Sequence, residues 1–242
     1  MPDATLSFGP LADQCADLYL GRERGNGSAL SAGRPLLVLI HGGYWRPDYD
    51  RAHLRPLASS LAQAGWTVAS IEYRRIPGDP LATLHDVEIA LSSALSAALT
   101  VEPTAHDGTM IVIGHSAGGQ MALWAAANRS QRAPVIPMRR VVALAPVADM
   151  DRANQLGLDD GAVADFVGQH GVKDFDPMTL PSGTTPVMIL HGTRDDRVPI
   201  ELSRNYVQAH PRADLIEIPG AGHFSLIDPS HPAWTALLDA LA

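Results

Sequence analysis

The sequence predicts an α/β fold with a mostly parallel central sheet, helices on both faces and a short cap excursion. Three observations carry that expectation. Apolar, β-branched runs such as 35–40 and 110–113 lack polar alternation, as strands buried on both faces do. Segments of helical spacing stand between such runs, the order that winds a parallel sheet. The alternation lapses in a single place, 148–186, where Asp, Gly and Pro gather around scattered Leu156, Phe166, Phe175 and Met178. The 242 residues suffice for one such domain, 1–242, with 148–186 as a small cap or insert, and are few for two.

Taken in order, residues 1–33 are irregular, with 14–20 the one plausible strand and the Gly/Asn/Ser-rich 21–33 a loop. The run 35–40 is a buried strand ending in the glycine-bearing loop His41-Gly42-Gly43-Tyr44-Trp45-Arg46-Pro47. Helical spacing covers 54–65 and stops at a glycine, and 66–71 is the next strand. A turn at 76–80 leads into a long Ala/Leu/Ser helix over 81–99. The strand 110–113 runs into Gly114-His115-Ser116-Ala117-Gly118, followed by a helix over 120–128. Strands at 141–145, 187–190 and 214–218 and helices at 200–208 and 231–241 complete the pattern.

Bulk properties narrow the function classes. Hydrophobic content of 46% and charged content of 18% are ordinary for a globular chain. A net charge of −8 with no Lys/Arg cluster argues against a nucleic-acid partner. Cys15 is the sole cysteine, so neither an intrachain disulfide nor a multi-thiolate metal site can form. Residues 1–9 carry no basic n-region and no long apolar stretch. The apolar runs are strand-sized, short of the roughly 20 residues a membrane helix needs. The expectation is a cytoplasmic enzyme-sized domain with no membrane partner.

The chemistry is concentrated at strand ends. Strand, tight turn and helix form the context in which Gly-x-Ser-x-Gly carries a nucleophile, because the serine must occupy a sharp corner with its hydroxyl clear of the sheet. The following helix aims unpaired N–H groups and its positive end at Ser116. An acyl-transfer serine also needs a base, a carboxylate to orient the base, and oxyanion donors. All should arrive at C-terminal strand ends. The strand 187–190 ends in His191-Gly192-Thr193-Arg194-Asp195-Asp196, and 214–218 ends in Pro219-Gly220-Ala221-Gly222-His223. Ser116, Asp195 and His223 thus follow the chain order nucleophile, acid, base. Asp195, nearer the strand end, is the expected orienting carboxylate, and Asp196 the expected cap of the helix at 200. Gly43 and Ala117 are the expected oxyanion N–H donors, with Tyr44 N–H a possible third. His41 reads as a buried histidine holding its loop, and His115 and His191 as neighbours of the site. Trp45 either walls a substrate pocket beside Tyr44 or plugs the loop against the fold. The remaining histidines show no metal-ligand spacing, and neither G-x-G-x-x-G nor G-x-x-x-x-G-K-[ST] occurs, so no metal and no cofactor are expected.

These three turns resemble the catalytic turns of the α/β-hydrolase fold. Within it, His41-Gly42-Gly43-Tyr44-Trp45 is similar to the H-G-G-x-W loop of kynurenine formamidases (arylformamidases) and small carboxylesterases. Glu72-Tyr73-Arg74-Arg75 with Leu84-His85-Asp86-Val87 is similar to the Tyr-Arg…Asp-Val stretch of hormone-sensitive-lipase-like esterases. The resemblance implies attack by Ser116 on a small ester or N-formyl amide, an acyl-enzyme, and hydrolysis through His223. The insert after Ala148 is short, implying a modest pocket edged by Tyr44 and Trp45 for small acyl or aryl groups. The alternatives are a prolyl-oligopeptidase-type peptidase, which usually carries a further gating domain, and a ligand-binding protein of this fold without turnover, which should have lost a triad member. Oligomeric state, monomer or homodimer, does not follow from the sequence.

Overall fold

The computed structural model describes residues 1–22, 33–128 and 137–242. Most of the loop expected at 21–33 lies outside the described residues. The centre is an eight-stranded sheet: β1 (Ala4–Ser7), β2 (Cys15–Tyr19), β3 (Leu36–Ile40), β4 (Val68–Ile71), β5 (Met110–His115), β6 (Met138–Leu144), β7 (Val187–Gly192) and β8 (Ala213–Ile218). The strands lie in the order β1-β2-β4-β3-β5-β6-β7-β8. β1 pairs with β2 and β2 with β4 antiparallel, and every other pairing is parallel. β3 and β5, whose residues are all buried, sit side by side at the centre, so the loops after both open at one edge.

Among the described residues seven helices cover the sheet: α1 (Arg55–Gln63), α2 (Pro80–Val101), α3 (Ala117–Asn128), α4 (Met150–Gln155), α5 (Leu158–Val167), α6 (Glu201–Ala209) and α7 (Ala233–Leu241). Successive strand residues face opposite sides, and each side has its own core. Leu36, Val38 and Ile40 pack with Leu84 and Leu91 of α2, Met121 of α3 and Leu202 of α6. Leu37 and Leu39 pack with Leu57 and Leu61 of α1 and Leu237 of α7. Each such Leu or Ile contributes roughly 1.5–3 kcal/mol by leaving water. That is why the strand runs lack polar alternation.

The structure differs from the sequence expectations in a few places, each with a physical reason. β1 was not expected: its four residues, Ala-Thr-Leu-Ser, bury Leu6 alone, and they are held by antiparallel pairing to β2 and not by an apolar run. α3 begins at Ala117, directly after the serine and three residues before the expected start, because the glycines of the turn enter the helix. α2 is 22 residues long and, with a window of mean hydropathy 1.2, is long and apolar enough to cross a membrane by length and composition. Its apolar face lies against the sheet instead, and its buried Asp86 accepts two hydrogen bonds from the Arg74 guanidinium at 2.7 Å each and one from Gln14 at 2.8 Å. The Tyr-Arg…Asp-Val stretch is therefore an ion-paired clasp between the chain after β4 and α2.

The insert holds α4, α5 and two 3-10 turns, Val172–Asp174 and Pro177–Thr179. Its buried Phe166 and Phe175 face the core that contains α3, and Phe166 stacks on Trp45 at 4.5 Å, so the excursion covers the loop after β3.

Candidate active site

The serine sits on a forced corner. Ser116 has φ +57°, the left-handed region that costs an ordinary residue about 1 kcal/mol or more. The corner is pinned on both sides: Ser116 N donates to Leu144 O at 2.9 Å, and Ser116 O accepts from Gln120 N and Val147 N at 3.2 Å each. Gly114 and Gly118 make it possible, since a Cβ on Gly114 would stand 2.1 Å from Gly118 O, and one on Gly118 would stand 2.1 Å from Ile40 O. Strand β5, strand β3 and helix α3 therefore meet at backbone distance beneath the serine. Ala117, the first residue of α3, leaves its N–H free of the helix ladder.

Two other loops close on this corner. His223 Nδ1 donates to Asp195 Oδ2 at 2.7 Å, with the Asp195 side chain wholly buried and that of His223 4% exposed. The second Asp195 oxygen accepts from Arg197 N at 2.9 Å and Val198 N at 2.8 Å. Burial alone would raise the Asp195 pKa, but hydrogen bonds from His191 and His223, the charge of His223 and the backbone donor hold it well below the usual carboxylate range. His191 Nε2 lies 3.4 Å from Asp195 while donating to Val198 O at 2.9 Å, and its Nδ1 accepts from Ser203 Oγ. Asp196 is exposed and does not cap α6, whose N-cap is Ile200 with no side-chain hydrogen bond; the sequence expectation fails there because the turn runs on through Val198 and Pro199 before the helix starts. His115 Nε2 donates to His223 O at 3.2 Å, and burial followed by repulsion from His223 lowers its pKa far enough to keep it neutral. Among the described residues Ser116 Oγ forms no hydrogen bond with His223; the two side chains meet as walls of one cleft.

The loop after β3 is held from behind and from the side. His41 is fully buried, its Nε2 2.9 Å from Glu72 Oε1 and its Nδ1 2.8 Å from Gly42 O. Tyr73 OH donates to His41 O at 2.8 Å. Since the Gly42 carbonyl faces the imidazole, the N–H of the same planar trans peptide, that of Gly43, points the opposite way. Glu72 also accepts from Arg51 N at 3.0 Å and from Arg75. Burial would raise its pKa, but His41, Arg51 and Arg75 bring it down to about 2. Beyond Gly43 (φ +110°), both Tyr44 and Trp45 are left-handed, and their side chains hold that conformation. Tyr44 OH donates to Arg197 O at 2.6 Å, tying this loop to the one that bears Asp195. Burial followed by the nearby Asp159 charge raises the Tyr44 pKa, so the donor stays protonated. Trp45 Nε1 donates to Gln120 Oε1 at 3.2 Å, and Gln120 Nε2 donates to Phe175 O at 2.8 Å. Arg46 pairs with Asp159 at 2.9 Å and Asp165 at 3.1 Å on the excursion.

Gly43, Tyr44, Ser116 and His223 thus line one cleft, about 340 Å³ including its open mouth, together with Tyr49, His53, His115, Arg197 and Phe224. Trp45 is buried against Phe166 and does not line it, so the plug is the position the structure gives this side chain. Tyr49, His53 and Arg197 belong to no motif, and sequence reasoning passed over them; Phe224 closes the Gly222-His223-Phe224 turn but had no role assigned to it. The one signal they offered was aromatic and cationic residues within ten positions of Gly43, Asp195 or His223. Among the described residues no group of three or more His, Cys, Asp or Glu is placed to hold a metal ion. A hydroxyl at a strained corner and an imidazole backed by a buried carboxylate are parts that acyl transfer requires.

Known proteins place this architecture. Solved structures of similar shape include a truncated carbohydrate esterase from gut microbiota (TM-score 0.79, 18% identity, 99% of this chain and 95% of that one). Another is esterase B of Lactobacillus rhamnosis, inhibited by a tributyrin phosphonate (TM-score 0.78, 20% identity, 100% and 87%). These likenesses establish the α/β-hydrolase fold. Esterase LipC of Mycobacterium tuberculosis is 26% identical over 86% of this chain, which spans 57% of LipC's own length. Residues 17–209, from β2 through α6 and including the turns of Ser116 and Asp195, match one family over most of the chain, and on that match the chain belongs to the BD-FAE family.

Proposed function

We propose that this chain is a serine hydrolase that cleaves a small carboxylic ester or N-formyl amide through an acyl-enzyme. The observation that carries the reading is the Asp195–His223 pair, 2.7 Å long and buried, on the same cleft as a serine at φ +57°. His223 Nε2 takes the Ser116 proton as Oγ attacks the carbonyl carbon, and the contact between the two tightens when substrate fills the cleft. Gly43 N–H and Ala117 N–H, with Tyr44 N–H third, receive the oxyanion, each such donor being worth roughly 10²–10³ in kcat. Collapse expels the leaving group, which takes the proton from His223. Water, deprotonated by the same imidazole, then releases the acyl group and restores Ser116. Asp195 fixes the imidazole with its Nε2 bare and stabilises the cation between the two steps.

The name of LipC supports the ester reading, and the H-G-G-Y-W loop the N-formyl amide. The decisive comparison is between p-nitrophenyl acetate, a longer acyl ester and N-formylkynurenine, with Ser116→Ala as control. Turnover of the acetate that vanishes in Ser116→Ala is expected; turnover that persists in the variant removes Ser116 from the chemistry. Faster cleavage of N-formylkynurenine than of the acetate would make the amide the preferred class.

A further inference from the structure

Rings with no part in the acyl transfer line the cleft from His223 across to the loop of Gly43, where Tyr49 packs. Phe224 follows the base in sequence, its ring 5.2 Å from the His223 ring and its surface 50% exposed. Tyr49 is likewise open to solvent, at 42%. Between them stands His53, edge-on to Tyr49 at 6.3 Å and to Phe224 at 5.8 Å, and 6.0 Å from His115. All three line the cleft with Ser116 and His223.

What sets His53 apart is its hydrogen bonding. The histidines around it are engaged: His41 with Glu72, His115 with the His223 carbonyl, and His223 with Asp195. The His53 side chain has no hydrogen-bond or ion-pair partner among the described residues, and three rings, Tyr49, His115 and Phe224, stand around it. A half-buried imidazole without a partner is a standing desolvation cost, which a ligand oxygen in the cleft would offset. Burial, followed by repulsion from His41 and His223, lowers its pKa. At neutral pH it is therefore an uncharged ring with one donor and one acceptor to present.

The side of the cleft decides which part of a substrate it meets. The leaving-group oxygen must reach His223 to collect its proton, whereas the carbonyl oxygen turns to Gly43 and Ala117. The departing alcohol thus passes over His223 toward Phe224 and the His53 ring that meets it edge-on. We infer that His53 is a specificity residue that binds an oxygen of the leaving alcohol. The favoured substrates are then esters of alcohols bearing a second hydroxyl a few bonds from the ester oxygen, with the carbon skeleton against Phe224. The inference rests on the serine-hydrolase reading above.

Two acetates of equal size test it: 2-hydroxyethyl acetate, which carries the hydroxyl, and propyl acetate, which does not. The readout is the ratio of their kcat/KM values, which cancels intrinsic reactivity when compared across variants. His53→Phe should lower that ratio roughly fivefold or more, the factor one neutral hydrogen bond makes, and His53→Gln, keeping a donor and an acceptor, should recover part of it. A ratio within about twofold of wild type in His53→Phe overturns the proposal, since a hydrogen bond of ordinary strength exceeds that. Should that variant not fold, by circular dichroism, His53→Ala carries the same expectation and the same refutation. Wild-type hydrolysis of neither ester overturns this proposal, and absence of turnover on p-nitrophenyl acetate and N-formylkynurenine as well overturns the serine-hydrolase reading with it, whereas hydrolysis of both acetates with an unmoved ratio overturns this proposal alone.

Discussion

Replacing Asp195 by Asn tests the pairing of acid and base in the greatest detail. The two carboxylate oxygens have different partners: Oδ1 accepts from Arg197 N and Val198 N, and Oδ2 from His223 Nδ1. An asparagine must keep its carbonyl oxygen on the two backbone donors, so its NH2 turns to His223. That NH2 then offers a proton where a proton already stands. The imidazole responds by taking the other tautomer, with Nδ1 bare and the proton on Nε2, which faces the serine and can no longer accept from it. The same NH2 approaches the His191 Nε2–H, 3.4 Å away, so the neighbouring histidine gives no relief. The expected loss is about 10⁴ in kcat, the size of a tautomer fault in such a triad, or about 5.4 kcal/mol at 1.36 per factor of ten. Volume is conserved, so the fold should persist, and KM should stay within a few-fold because the group does not touch substrate. Steady-state hydrolysis of p-nitrophenyl acetate with near-ultraviolet circular dichroism as the folding control measures both. Asp196→Asn, at an exposed position, should leave kcat near wild type. A folded Asp195→Asn variant within tenfold of wild type, or a larger loss from Asp196→Asn, would refute the assignment.

Other expectations follow from the oxyanion loop and from the charges behind it. Gly43→Ala should lower kcat by roughly 10²–10³ with a smaller change in KM, because the new Cβ would stand 2.4 Å from that of Tyr49 at a φ of +110°; an unchanged kcat would remove Gly43 N–H from the donors. The Glu72 pKa is depressed, from 4.5 to about 2, so its contribution to stability is complete above the unfolded value and is lost as pH falls through that window. Glu72→Gln should therefore be less stable than wild type in urea at pH 7, with the gap closing between pH 5 and pH 2; parallel curves would show that Glu72 carries no such linkage.

Much of this architecture is legible in the sequence, and the reasons are local. β3 and β5 are buried on both faces, so their residues are apolar without alternation, and no tertiary partner is needed to see them. The turn at Ser116 declares itself because a backbone approach at Gly114 and Gly118 tolerates no Cβ. The pairing of Asp195 with His223 follows from their positions at the ends of the neighbouring strands β7 and β8. What stays hidden is long-range. Nothing near Trp45 says that Phe166, 121 positions away, will stack on it, so wall and plug cannot be told apart. Tyr49, His53 and Phe224 meet only because the loops after β3 and β8 converge, and no pattern within either segment announces the meeting. β1 is invisible for the opposite reason, since its pairing with β2 is backbone to backbone and asks little of its side chains.

The central claim, that Ser116 is the atom acylated, is tested most directly by covalent trapping. Incubation with diethyl p-nitrophenyl phosphate, followed by intact mass and peptide mapping, should show one diethylphosphoryl group per chain, on the peptide that holds Ser116, with p-nitrophenol released in equal amount and no adduct in Ser116→Ala. A chain that stays unmodified while hydrolysing p-nitrophenyl acetate, or an adduct that persists in Ser116→Ala, would contradict the account.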